Sequence, residues 1–316
     1  MTHEEYLRSA GLSHSMLKDL SISPLRMWDR WINPNRAAEE PTPAMKFGSA
    51  LHCAVLEPKA FLDRYACEID PADYPGCLVT INDLRGWLSE HGIKPKGTRK
   101  DEVIAQVQGA DSTVPILDVI AGRAMAANAG KTTFKKDDWT RIYGAAQSLL
   151  SEPRVQEILK QGEPEAMMMA TDQDTGMCLK ARMDWMTPKL ILDVKTFSQK
   201  GEKTISKTVT DAIWYEDYHG QMFFYSLVRG WPKWRGECVL AFVESEPPYE
   251  TRIRVLRPVE AGSPSMLWER ARHNTKRLIG QYAEYVAEFG LGEKAWRYAQ
   301  DVSVLDDLEF PQLSYS

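Results

Sequence analysis

The sequence is short of cysteine, of long apolar runs and of positive charge. Five cysteines stand among 316 residues, at Cys53, Cys67, Cys77, Cys178 and Cys238. Their number is odd, they are scattered, and no C-x-x-C pair occurs. A zinc ribbon, a thioredoxin-type centre and a clustered iron–sulfur ligand set are therefore disfavoured, leaving buried or incidental thiols. No apolar run approaches the roughly 18 residues that a transmembrane helix needs. The start, Met1-Thr2-His3-Glu4-Glu5, has neither the basic end nor the apolar core of a secretion signal. The expectation is a soluble cytoplasmic protein with no membrane partner. Internal repeats and low-complexity stretches are also absent.

The net charge of −5 argues at first against nucleic acid. However, residues 301–316 hold Asp301, Asp306, Asp307 and Glu309 and no Lys or Arg, so the remaining body carries only −1. Local patches, not the total, must decide. With 43% apolar and 26% charged residues, the chain is ordinary globular material for one large or two modest domains.

Four segments are expected: helical residues 1–77, a small helical unit at 78–109, a body at 110–300 and an acidic tail at 301–316. In the first, Ser13 caps a helix carrying Met16, Leu17 and Leu20, and a second helix starts near Pro24. A loop at 33–43 leads to a helix over 47–56. The small unit reads as two helices, 79–88 and 101–107, with Leu84, Trp87, Leu88, Val103, Ile104 and Val107 facing inward. Helical periodicity then continues to about residue 160. From Glu165 the pattern changes to strands at 165–172, 177–187 and 190–196, joined by turn chemistry. A helix over 211–229, strands at 237–243 and 251–256, and a long amphipathic helix ending near Phe289 follow.

The most informative segment is Ile191-Leu192-Asp193-Val194-Lys195-Thr196. Residues two apart in a strand share a face, so Asp193 and Lys195 point one way while Leu192 and Val194 point into the core. A carboxylate beside an ammonium suits metal-assisted phosphodiester hydrolysis, although the pair alone is equally an exposed ion pair. The neighbouring strands add to it. A two-residue turn at Pro188-Lys189 sets Asp184 opposite Asp193, and a four-residue turn at 173–176 sets Glu165 opposite Asp184. Three carboxylates in a row repel unless cations sit between them, and oxygen ligands suit Mg²⁺ or Mn²⁺. A one-residue slip would destroy the row.

From Gly11-Leu12-Ser13 to about residue 230 the chain resembles the PD-(D/E)XK nuclease superfamily, and within it the RecE-type exonuclease VIII family of phage and prophage recombination. The likeness is carried by that tripeptide, Lys46-Phe47-Gly48-Ser49-Ala50-Leu51-His52, Glu165, Arg182-Met183-Asp184, Leu192 to Thr196, and Gln221-x-x-x-Tyr225. Met183 stands where family members usually carry proline. The resemblance implies an α/β (α+β) fold: a restriction-endonuclease-like core whose mixed central sheet is flanked by helices, plus the small helical insert. It implies metal ligands His52, Asp184 and Asp193, helped by the Val194 carbonyl, with Lys195 as the catalytic lysine. Glu165 matches an acidic position of less defined role, and Gln221 and Tyr225 become active-site supports. The implied cofactor is Mg²⁺, with Mn²⁺ as substitute. The implied activity is 5′ to 3′ digestion of double-stranded DNA ends, leaving a 3′ overhang for a RecT-like single-strand annealing partner. A ring-shaped homo-oligomer and a phage- or prophage-encoded bacterial origin come from the same source.

Residues 78–109 resemble a SAP-like helix–extension–helix module through Asp83-Leu84-Arg85-x-x-Leu88, Gly92-Ile93 and Gly97-Thr98-Arg99-Lys100-x-Glu102. Lys94, Lys96, Arg99 and Lys100 suit contact with DNA phosphates, or form a solvated loop. Two other readings remain open from sequence: an endonuclease or repair nuclease on the same core, and a non-catalytic DNA-binding accessory protein.

Overall fold

A computed structural model describes residues 5–6, 9–37, 39–199, 201–257, 265–291 and 296. The acidic tail expected at 301–316 lies outside the described residues. Helix α1 (His14–Ile22) opens with the Ser13 hydroxyl accepting from the Met16 N–H, and α2 (Pro24–Trp31) follows. The third helix, α3 (Pro43–Leu56), begins four residues before the expected 47, because Thr42 caps it and Pro43 fits its first turn. Next come α4 (Pro58–Arg64) and β1 (Tyr65–Cys67). The small helices are α5 (Ile81–Glu90), with a Thr80/Asp83 capping box, and α6 (Lys100–Ala110). They are followed by α7 (Leu117–Ala127), β2 (Thr132–Phe134), α8 (Lys136–Ser151) and α9 (Pro153–Leu159). Strands β1 and β2 form a parallel pair that the sequence reading did not anticipate.

The central sheet contains β3 (Glu163–Thr171), β4 (Cys178–Met186), β5 (Leu190–Phe197), β6 (Glu237–Glu244) and β7 (Thr251–Leu256), in that order. It is mixed: β5 and β6 run parallel and the other neighbours antiparallel. The parallel step needs a crossover, supplied by α10 (Ile205–Tyr215) and α11 (Tyr218–Val228). One continuous helix over 211–229 was expected. Asp217 instead takes φ 58°, a left-handed conformation that no helix interior accommodates, and splits it in two. Helix α12 (Met266–Phe289) closes the described fold.

Both sheet faces are covered. Leu179, Ala181, Met183, Cys238, Leu240 and Phe242 pack beneath α1, α11 and α12, while Leu192, Val194, Val239, Ala241 and Val243 pack beneath α3 and α8. A third apolar cluster stands apart, formed by Leu78, Leu84, Leu88, Val103, Val107 and Ile116. It reaches beyond residue 109, because a parallel bridge joins Leu78 to Ile116.

Candidate active site

The register follows the turns read from the sequence. Trp185 pairs Leu192 and Met186 pairs Ile191, while Glu163 pairs Met186 and Ala166 pairs Met183. Extending these ladders puts Asp184 opposite both Asp193 and Glu165. The β4–β5 ladder stops short of that rung, and the β3–β4 ladder skips it and resumes at Ala166 and Met183. Met183 belongs to the core beneath α11, whereas Trp185 belongs to the core beneath α3, so β4 changes face at Asp184. Glu165, its partner on β3, has φ 50°. A left-handed residue with a Cβ costs about 1–2 kcal/mol. The two irregularities share one rung, and together they release both carboxylates from the regular alternation.

The freed Asp184 carboxylate does two things. Its Oδ2 accepts the Val194 N–H at 2.8 Å, taking the place of a ladder bond as β4 and β5 diverge. The same oxygen lies 3.4 Å from His52 Nδ1, on α3. His52, Glu165 and Asp184 each offer one ligand atom, and these atoms all lie within 4.8 Å of one another. Glu165 is also held by Arg182, at 3.0 Å from Nε.

Beside this cluster, Asp193 is 1% exposed. Its Oδ1 accepts from Gln221 Nε2 at 3.2 Å, and that nitrogen also donates to the Tyr225 hydroxyl at 2.7 Å. Gln221 and Tyr225 thus act from one face of α11, as their spacing of four predicts. Asp193 Oδ2 lies 2.5 Å from Lys195 Nζ, but off the hydrogen-bonding direction, so this buried oxygen has no aligned donor. The D-x-K pair is therefore interior, not an exposed surface pair.

The charges respond to this crowding. Burial, then the Asp184 carboxylate, push Asp193 up to about 6 against the pull of Lys195. Burial also raises Glu165, Arg182 opposes it, and Asp184 adds to the rise. Burial disfavours the Lys195 ammonium, but Asp193 and Asp184 outweigh it and hold Lys195 above the ordinary lysine value. Carboxylates that resist ionisation together, beside an oxygen lacking a donor, have the donor chemistry that a hard divalent cation satisfies. The two carboxylates suit an oxygen-preferring divalent ion, and the one imidazole admits a softer transition metal as well.

Two of the expected metal ligands meet in one cluster. His52 and Asp184 are in the cluster with Glu165, a residue expected in the site but not as a metal ligand. Asp193 stands next to it, engaged by Lys195 and Gln221. Lys94, Lys96, Arg99 and Lys100 belong to the small helical unit. Arg99 pairs with Asp101, and Lys100 pairs with Asp118 and donates to the Val79 carbonyl at 2.8 Å. Only Lys94 and Lys96 of the four are exposed without an ion pair among the described residues.

Sequence reasoning missed Tyr218, whose ring centroid lies 4.8 Å from Lys195 Nζ. It sits three residues before Gln221, a spacing that shares a helix face and could have flagged it. It also missed His14 Nε2, 3.1 Å from Asp217 Oδ2, a contact across 203 positions that no local pattern announces. A Cβ at Gly220 would meet the Asp217 carboxylate oxygens at 2.5 Å, so a larger residue there would push that carboxylate aside.

Residues 13–284 match the family described as a PDDEXK-like domain of unknown function (DUF3799). The chain belongs to this family. Its mixed sheet with flanking helices is the fold of the PD-(D/E)XK nuclease superfamily. Among solved structures, a candidate exonuclease from Eubacterium rectale aligns over 97% of this chain and 94% of its own, with a TM-score of 0.54 and 15% identity. An alkaline exonuclease from Laribacter hongkongensis aligns over 43% of this chain and 66% of its own, with a TM-score of 0.27 and 11% identity. At such identities the first likeness speaks for the fold alone, and the second carries no argument. No curated protein matches the sequence. Among the described residues no helix is long and apolar enough to cross a membrane.

Proposed function

We propose that this chain is a divalent-metal-dependent nuclease that hydrolyses DNA phosphodiester bonds. The observation that carries the reading is the meeting, where β4 and β5 diverge, of the His52–Glu165–Asp184 cluster with the Asp193–Lys195 pair. His52, Glu165 and Asp184 would hold Mg²⁺ or Mn²⁺, with Asp193 at their side. When bound, the ion supplies Lewis-acid polarisation of the scissile phosphate and a more acidic water. Lys195 orients the attacking water and stabilises the negative charge that develops on the phosphate. Gln221, anchored by Tyr225, fixes the Asp193 carboxylate, and the covered sheet faces keep bulk water away from these charges.

The RecE-type resemblance refines this to an exonuclease acting 5′ to 3′ on linear duplex ends. The 3′ overhang would pass to a RecT-like annealing protein, and the enzyme would work as a homo-oligomeric ring in the cytoplasm of a bacterium carrying a phage or prophage. Residues 78–109 would be a SAP-like accessory grip, its phosphate contacts falling to Lys94 and Lys96.

Incubation with Mg²⁺ or Mn²⁺ and matched linear and closed circular duplexes tests the reading. Loss of linear DNA alone supports the exonuclease. Nicked circles would make it an endonuclease, and inertness with both metals would overturn the nuclease assignment. End-labelled strands report the polarity.

A further inference from the structure

A cavity of about 580 Å³ opens beyond the carboxyl end of β5 and takes no part in the metal cluster. Its walls include Lys46 and Phe47 from the start of α3, Lys135 just before α8, and Thr196 and Ser198, which follow Lys195 directly. Two elements therefore run from the candidate active site into this cavity, and each acts as a ruler. Along α3, His52 to Lys46 spans about 9 Å at a rise of about 1.5 Å per residue. Along β5, Asp193 to Phe197 spans about 13 Å at about 3.3 Å per residue. One strand of a duplex carries a charge every ~3.4 Å of helix axis. Because the strand winds about that axis, successive phosphates lie roughly twice as far apart through space, and the cavity is about one or two phosphates from a phosphate held at the metal cluster.

The charge in the cavity fits one such phosphate. Arg141 is already committed: it pairs with Asp138 at 2.9 Å and with Glu246, donates to the Ser245 carbonyl at 3.1 Å, and stacks 5.1 Å over the Phe47 ring. It is a wall, not a ligand. Lys46 and Lys135 are exposed and form no ion pair among the described residues. Glu68 and Asp138 are the carboxylates in the lining, and Asp138 is taken by Arg141. With Arg141 and Asp138 cancelling, the two ammonium groups against Glu68 leave the lining a surplus of one positive charge, the complement of a single phosphodiester. Ser198 and Ser245 hydroxyls, 3.0 Å apart, add a donor at the same end. The buried rings of Phe47, Phe134 and Phe197 behind them strengthen these charges by excluding water.

We infer that this cavity is a subsite for one backbone phosphodiester of the DNA, about one or two positions from the bond that is cut. The inference rests on the nuclease reading above. It assigns Lys46 and Lys135 to substrate grip and not to chemistry.

The test uses duplexes in which one phosphate at a time is replaced by a neutral methylphosphonate, scanned in both directions from the cut site. The full-length parent is compared with the double variant Lys46→Ala/Lys135→Ala, both positions being exposed. The parent should lose affinity on the order of tenfold at one position. The variant should bind unmodified DNA that much more weakly and show no further loss there, with a salt slope shallower by about 0.9. Its hydrolysis of bis(p-nitrophenyl) phosphate, too short to reach the cavity, should equal the parent's. A variant as sensitive as the parent at every position overturns the inference, as does an equal fall on the small diester. Fluorescence polarisation reads the binding without cleavage. A parent that binds with the position-specific loss yet cleaves neither substrate would sink the nuclease reading and leave the subsite standing.

Discussion

Lys195 Nζ is held between two partners: the Asp193 carboxylate at 2.5 Å and the face of Tyr218, whose ring centroid is 4.8 Å away. Tyr218 in turn rests on Phe242, with ring centroids 5.9 Å apart. Since α11 opens at Asp217, Tyr218 reaches Lys195 and Gln221 reaches Asp193 from one helix start. A desolvated ammonium over an aromatic face gains about 2 kcal/mol. Tyr218→Phe keeps the face and should keep kcat within about twofold. Tyr218→Leu should lower kcat roughly tenfold or more with KM unchanged. Equal loss in both variants would show that the hydroxyl, not the ring, matters.

The metal cluster makes Glu165 a sharp discriminator. If His52, Glu165 and Asp184 hold the ion, Glu165→Gln should weaken Mn²⁺ binding by at least tenfold, since even groups behind the ligands contribute about that much. Lys195→Ala should leave Mn²⁺ affinity nearly unchanged while abolishing turnover, because the lysine acts on water and phosphate. Calorimetric titration beside a cleavage assay separates the two. Undiminished Mn²⁺ binding by the Glu165 variant would return the ligand role to Asp193.

The strand register was legible because two turns fixed it. The Thr187 N–H meets the Leu190 carbonyl at 2.9 Å across Pro188-Lys189, and the Asp172 N–H meets the Met177 carbonyl at 2.8 Å across residues 173–176. Those two closures align Glu165, Asp184 and Asp193 without further information. The face change at Asp184 and the positive φ of Glu165 were not legible, because neither position carries the glycine that would announce a bulge or a left-handed residue. The break at Asp217 escaped for a related reason. The Asp217 side chain is met by His14 from 203 positions away, a partner set by tertiary packing that no local pattern announces. Glu165 entered the metal-capable cluster through the same kind of irregularity, so a reading based on regular alternation could place it in the row but not assign its role.

The small helical unit should unfold separately from the sheet. Its cluster of Leu78, Leu84, Leu88, Val103, Val107 and Ile116 shares no member with the two cores that cover the sheet. Leu88 is 0% exposed, so Leu88→Ala should cost about 2–5 kcal/mol by cavity formation. Hydrogen exchange should accelerate across α5 and α6 while β5 and β6 stay protected. Faster exchange in β5 as well would show that the unit and the sheet fold as one. Because Ile116 belongs to this cluster, a clean excision from residue 78 must run past residue 109, or Ile116 will be left facing water.

Far from the candidate active site, the β3–β4 hairpin is tied to α12 through Asp172 and Lys276. The Asp172 side chain is 1% exposed, and its Oδ1 accepts from Lys276 Nζ at 2.6 Å. Its other oxygen accepts from the Thr175 N–H at 3.1 Å and hydroxyl at 2.9 Å. Burial alone would raise the Asp172 carboxyl, but Lys276 and Thr175 outweigh it and leave it below the ordinary carboxylate range. Burial likewise disfavours the Lys276 ammonium, and Asp172 with Asp174 reverses this and raises it. A depressed carboxyl adds stability that is full above its unfolded value of about 3.9 and is lost as the pH falls through the folded value. A raised lysine adds stability that is full below about 10.4 and is lost as the pH rises through its folded value. The tie is therefore complete between about pH 4 and 10. Asp172→Asn should lower the melting temperature by roughly 3–6 °C near neutral pH. The gap from the parent should close as the pH falls below about 4, where the parent carboxylate also takes up a proton. Thermal melts of both proteins from pH 2.5 to 8 decide it: a gap that stays constant down to the acid end would mean that packing around Asp172, and not its charge, holds the hairpin to α12.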